Sequence, residues 1–181
     1  MRHLLRTAAL GLAVAAFAAA PAAAGEHRIG LGYHYFETLD DLELDTIDDI
    51  DDSGSSLVAS YQYLPGGLLR FEVDLEYWED GFGGTSGEAA YAPQVYVLLG
   101  RGFYGGVGVG ITHSDGFTIE DSDYDDEWSD PWFAARAGVD LLLLPKVHLD
   151  INANYRADAF NALDEAESDA ITLGASLRIG F

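Results

Sequence analysis

In the stretch "LRFEVDLEYW" (residues 69–78), Arg70, Glu72, Asp74 and Glu76 put a charge at every second position. In an extended strand those four side chains share one face. Stacked carboxylates beside a guanidinium can act as an ion pathway or a proton relay, or simply as an ion-pair network. The same spacing recurs elsewhere. Arg28, Arg136, Asp140, Asp150, Arg156 and Arg178 all sit at alternate positions between apolar residues. The full set is five guanidiniums and five carboxylates, a balanced group in a strongly acidic chain.

Two other groups could carry chemistry. "DSDYDD" (121–126) offers Asp121, Asp123 and Asp125 at the spacing that opens a calcium loop. Asp126 stands where such a loop needs Gly, and Trp132 where it needs Glu, so at most weak Ca²⁺ binding is expected and otherwise no cofactor. The histidines are the candidates for catalysis. His113, Ser114 and Asp115 are consecutive, and neighbours in a strand point to opposite faces, so "HSD" forms no relay on its own. His34 with Glu37 or Asp40 has no stronger pattern. No catalytic residue is assigned and no enzymatic activity is expected.

The elements that position these residues follow from composition and period. Arg2, His3 and Arg6, the apolar run "TAALGLAVAAFAAA" and the small residues Ala22 and Ala24 make a signal peptide over residues 1–24, leaving 25–181 as one domain. That portion holds seven basic and 31 acidic residues, a formal charge near −24, which excludes nucleic acid as a partner. There is no cysteine, hence no disulfide framework.

Eight segments then alternate with period 2. They are "HRIGLGYHYF" (27–36), "SSLVASYQY" (55–63), "LRFEVDLEYW" (69–78), "YAPQVYVLL" (91–99), "FYGGVGVGITH" (103–113), "WFAARAGVDLLL" (132–143), "VHLDINANYR" (147–156) and "ITLGASLRIGF" (171–181). The fourth is the least regular, and Pro93 removes a ladder donor, so a bulge or a shifted register is expected there. Connections alternate between short ("LPGG", "GRG", "LPK") and long, and the long ones hold about 25 of the 31 carboxylates. This predicts an all-β, antiparallel up-and-down meander. A polar face of glycine and balanced charge suits a crowded interior. With the apolar face turned to lipid, the sheet closes into an eight-stranded transmembrane β-barrel. Tyr33, Tyr35, Tyr61, Tyr63, Tyr77, Trp78, Trp132 and Tyr155 lie near segment ends, where aromatics favour the headgroup level.

On these features the chain resembles the small outer-membrane barrels of the OmpA/OmpX type. The resemblance spans residues 25–181 and includes the terminal "LRIGF". In that family a C-terminal aromatic preceded by alternating apolar residues is read by the barrel-assembly machinery, and Leu177, Ile179 and Phe181 fit that pattern. The resemblance implies residence in the cell outer membrane of a Gram-negative bacterium, contact with outer-membrane lipid and lipopolysaccharide, and a monomer. Eight strands enclose only enough space for side chains, so the charge set Arg28, Arg70, Glu72, Asp74, Glu76, Arg136, Asp140, Asp150, Arg156 and Arg178 is expected to fill the lumen. The role expected is structural, in envelope integrity or in surface interaction. The alternatives are a narrow channel for small or apolar solutes and a lipid-modifying enzyme.

Overall fold

The computed structural model describes residues 25–38, 53–79, 89–114, 118–119, 122–123, 127–129, 131–157 and 170–181. Eight long strands carry the architecture: β1 (Glu26–Thr38), β2 (Ser53–Gly66), β3 (Leu69–Trp78), β4 (Ala90–Gly100), β5 (Phe103–Gly110), β6 (Trp132–Leu144), β7 (Val147–Ala157) and β8 (Ala170–Gly180). Each pairs antiparallel with its neighbours in sequence. β1 then pairs with β8 from Arg28 opposite Gly180 to Thr38 opposite Ala170, which closes the barrel and leaves no free edge. The expected meander and barrel are what forms.

The three short turns and the first described residue lie at one end. Turn geometry there follows residue type. Gly66, Gly67 and Gly100 take positive φ, where a side chain would be strained. The ladder shifts register between Tyr63 and Gly66 and between Leu142 and Leu144. At the opposite end, the β5–β6 connection adds two-residue rungs: His113–Ser114 pairs with Ala90–Tyr91 and with Glu127–Trp128, and Thr118–Ile119 pairs with Ser122–Asp123.

The hydrophobic arrangement is inverted relative to a soluble sheet. Leu31 is 74% exposed and Phe103 81%, and Leu57, Leu75, Val107, Leu173 and Leu177 also face outward. Arg70, Glu72, Asp74, Asp150 and Arg178 are almost wholly buried inside. A belt of exposed aliphatic side chains around a charged interior requires hydrocarbon as its surroundings.

The fourth segment departs from expectation. β3 and β4 pair without interruption from Leu69 opposite Leu99 to Trp78 opposite Ala90, with Pro93 opposite Leu75 and no bulge. Its irregular look has another cause: the inward positions Ala90, Ala92, Tyr96 and Leu98 are themselves apolar, so the two faces contrast little. A second correction concerns Trp78 and Trp132. Both point into the barrel, each 3% exposed, and belong to an internal apolar cluster with Tyr96, Leu98 and Tyr104 rather than to the headgroup belt.

Candidate functional site: the filled lumen

The inward positions build three tiers along the barrel. Nearest the short turns, Asp140 on β6 is the acceptor for three strands. Arg28 Nη1 and Arg70 Nη1 (2.9 Å) donate to its Oδ2, and His148 Nδ1 lies 2.7 Å from Oδ1. Arg28 Nε also donates to Glu26 (2.7 Å), and Arg70 Nε to the Gly100 carbonyl (2.7 Å).

The middle tier centres on Glu72. Its Oε1 accepts from Arg136 (2.8 Å) and Arg178 (2.6 Å), and its Oε2 from Gln62 (2.8 Å). Arg136 also donates to Asp74 (2.7 Å) and Asn154, and its guanidinium lies 3.7 Å over the Tyr96 ring. Arg178 lies 3.2 Å from Asp150, which in turn accepts from Tyr104 (2.7 Å) and Asn152 (2.8 Å). Charge-assisted bonds of this length are the strong ones. In this tier each buried charge meets at least one opposite charge, which its desolvation demands.

The third tier lies toward the long connections. Glu76 accepts from Ser56 (2.5 Å) and Gln94 (2.7 Å), and its Oε1 is 3.1 Å from His34 Nδ1. Gly174 makes this tier possible, because a β-carbon there would collide with the His34 imidazole. Arg156 donates to Thr112 Oγ1 (2.9 Å) and stacks 4.2 Å over Trp132. Between Trp78, Tyr96, Trp132 and Arg156 remains a cavity of about 20 Å³, enough for roughly one water.

All ten charges named from the sequence therefore point inward. Sequence reasoning missed the other half of the lumen, the wall of Trp78, Tyr96, Leu98, Tyr104 and Trp132. Nor did it find His34 as the partner of Glu76 or His148 as the partner of Asp140. Their inward parity was the available signal.

The remaining candidates are placed as follows. Leu177, Ile179 and Phe181 face outward, more than half exposed. Asp121 and Asp125 lie outside the described residues, and Asp123 is seen only as backbone paired with Thr118. Asp115 and Asp40 are likewise outside them. His113 packs against the rings of both Tyr91 and Trp128, 4.7 Å from each, and those two rings also meet edge to face at 5.6 Å. His34 and Ser56 bind the same oxygen of Glu76, so the carboxylate is the hub and no Ser–His–acid order exists in this trio.

No family model and no curated protein matches the sequence. Solved structures do. The crystal structure of Neisserial surface protein A aligns with TM-score 0.56 at 14% identity, covering 87% of this chain and 97% of that one. Ail of Yersinia pestis gives 0.55 at 16% identity over 87% and 99%. The N-terminal β-barrel domain of Pseudomonas aeruginosa OprF gives 0.54 at 10% over 87% and 99%. The likeness is one of fold. This chain has the fold of the small eight-stranded outer-membrane barrels.

Proposed function

We propose that this protein sits in the bacterial outer membrane as a sealed barrel and acts through its surface, in a structural, envelope-integrity or surface-interaction role. The observation that carries this reading is the lumen. Arg28, Arg70, Arg136 and Arg178 interlock with Glu72, Asp74, Asp140 and Asp150 across it, against a wall of aromatic and aliphatic side chains. Such packing suits rigidity and fills an eight-stranded interior with side chains. Residues 1–24 fit a cleaved export signal, and Leu177, Ile179 and Phe181 fit an assembly signal on the last strand. We expect a monomer.

The long connections face the outside in this reading. They contain no Lys or Arg, and their carboxylates attract cations and basic partners. Ail has also been crystallised with the heparin analogue sucrose octasulfate. That ligand class does not transfer here, because connections without a basic residue repel a polysulfate.

The test is conductance of the purified, refolded barrel in planar bilayers. A baseline without steps supports the sealed reading, whereas large and stable steps favour the narrow channel. Mass spectrometry of lipid A from a deletion strain addresses the enzymatic alternative; unchanged lipid A supports a non-catalytic role.

A further inference from the structure

Of the seven basic residues in 25–181, five are committed to the lumen. The other two, Arg101 and Lys146, are exposed on short turns at the same end of the barrel. Both stand among apolar side chains. The β6–β7 hairpin runs past the last β5 rung, Val139 opposite Phe103, and carries four consecutive exposed residues, Leu141 to Leu144. Leu142, opposite the luminal His148, opens onto the barrel mouth, whereas Leu141 and Leu144, opposite Leu149 and Val147, stand on the outer face. Leu68, Leu99 and Phe103 extend the apolar band to the neighbouring turns. Exposed leucines in a row are a fault on a water-facing surface. On the outer face an acyl boundary accommodates them.

Lys146 supplies a second, independent observation. Its φ is +68°, the sole positive value for a non-glycine among the described residues. After Pro145 the turn favours Gly or Asn at this position. A lysine held there keeps a strained backbone and presents a cation at the hairpin tip. Only its carbonyl serves the fold, accepting from Gly180 N at 2.8 Å. Arg101 is fixed as well. Its Nε donates to the Gly67 carbonyl (2.8 Å), and its turn is tied down by Gly100 N to Leu68 O (2.8 Å) and Asp140 N to Gly102 O (2.7 Å).

We propose that this rim binds the headgroups of anionic diacyl phospholipids in the leaflet next to the short turns, with the outward-facing Leu68, Leu99, Phe103, Leu141 and Leu144 in the acyl layer and Arg101 and Lys146 against the phosphates. Charge complementarity selects the occupant: long basic side chains snorkel from an apolar band to headgroup level. The opposite end, rich in acid, repels the same lipids. The inference rests on the membrane-embedded reading above.

The experiment titrates phosphatidylglycerol, with phosphatidylcholine as the reference, onto the refolded barrel in detergent and counts bound lipids by native mass spectrometry. Wild type should prefer phosphatidylglycerol. Arg101→Gln and Lys146→Gly should each weaken that preference about five-fold, the effect of roughly 1 kcal/mol per charge, and leave phosphatidylcholine binding unchanged. Lys146→Arg should retain it. Lys146→Gly suits the turn's φ, so loss of fold does not confound it. The heat-shifted gel mobility of folded barrels is read in parallel, so a protein that never inserts counts against the barrel reading and not against lipid binding. An unchanged preference in the Arg101→Gln/Lys146→Gly double variant overturns the proposal. So does a dimer that those substitutions dissociate, because a second copy would then cover the rim.

Discussion

Replacing Glu72 by Gln should cost more stability than any other isosteric change in the lumen. The substitution preserves volume and leaves one oxygen as an acceptor, but it removes the charge shared by Arg136 (2.8 Å) and Arg178 (2.6 Å). Breaking a buried ion pair from one side costs about 3–5 kcal/mol. Here each arginine keeps a second carboxylate, Asp74 for Arg136 at 2.7 Å and Asp150 for Arg178 at 3.2 Å. The retained partners place the expected loss near the lower bound, ~3 kcal/mol, roughly a hundredfold in the unfolding equilibrium. The assay is reversible urea unfolding in phospholipid vesicles followed by tryptophan fluorescence, with the midpoint and slope compared to wild type. Adding Arg178→Gln restores a neutral lumen, so the double variant should recover at least ~1 kcal/mol relative to the sum of the single effects. A loss under ~0.5 kcal/mol for Glu72→Gln, with additive behaviour in the double variant, refutes the view that these charges are mutually dependent.

Two further outcomes follow from the packing. Leu31→Arg puts a guanidinium on the outer face, opposite Leu177 and Ala59, and should destabilise the bilayer-inserted barrel by about 2–4 kcal/mol; in the same urea titration, a change within ~0.5 kcal/mol would mean that face is wet. Gly174→Val forces a side chain onto the His34 imidazole and should cost ~1–3 kcal/mol by overpacking, whereas Gly105→Ala, where the nearest atom to an added β-carbon is 3.5 Å away, should be nearly silent.

The alternation of the sequence was enough to assign inward and outward faces on all eight strands, because a period of two has only two phases; charge marks the inward one on β1, β3, β6, β7 and β8, and small or polar residues mark it on β2 and β5. It was least informative where charge is missing. On β4 the inner residues Ala90, Ala92, Tyr96 and Leu98 read like a second outer face, and the segment looked irregular although its ladder is intact. Trp78 and Trp132 show the cost of reading composition ahead of phase. An aromatic near a strand end suggests the headgroup belt, but Trp78 shares phase with Glu76 and Trp132 with Arg136, and phase decides. Which charges meet was not legible at all. Arg136 on β6 reaches Glu72 and Asp74 on β3, and Arg28 on β1 reaches Asp140 on β6. Those contacts cross the lumen, so they depend on strand tilt and stagger, which local sequence does not encode.

The scarcity of cations explains why the interior and the long connections obey opposite rules. With seven basic residues against 31 acidic ones in 25–181, most carboxylates have no partner available in the chain. In water that is tolerable, since exposed charges are screened within about 8 Å at physiological salt. Inside the barrel it is not, because each unpaired ion there carries a desolvation penalty of several kcal/mol. Five of the seven cations accordingly lie in the lumen. The connections remain uncompensated in charge, and their carboxylates attract counterions. The two cations left over stand where neither rule requires them, on the rim opposite the acid. Their position among exposed leucines, one of them on a strained turn, fits the anionic headgroups proposed for the leaflet they face.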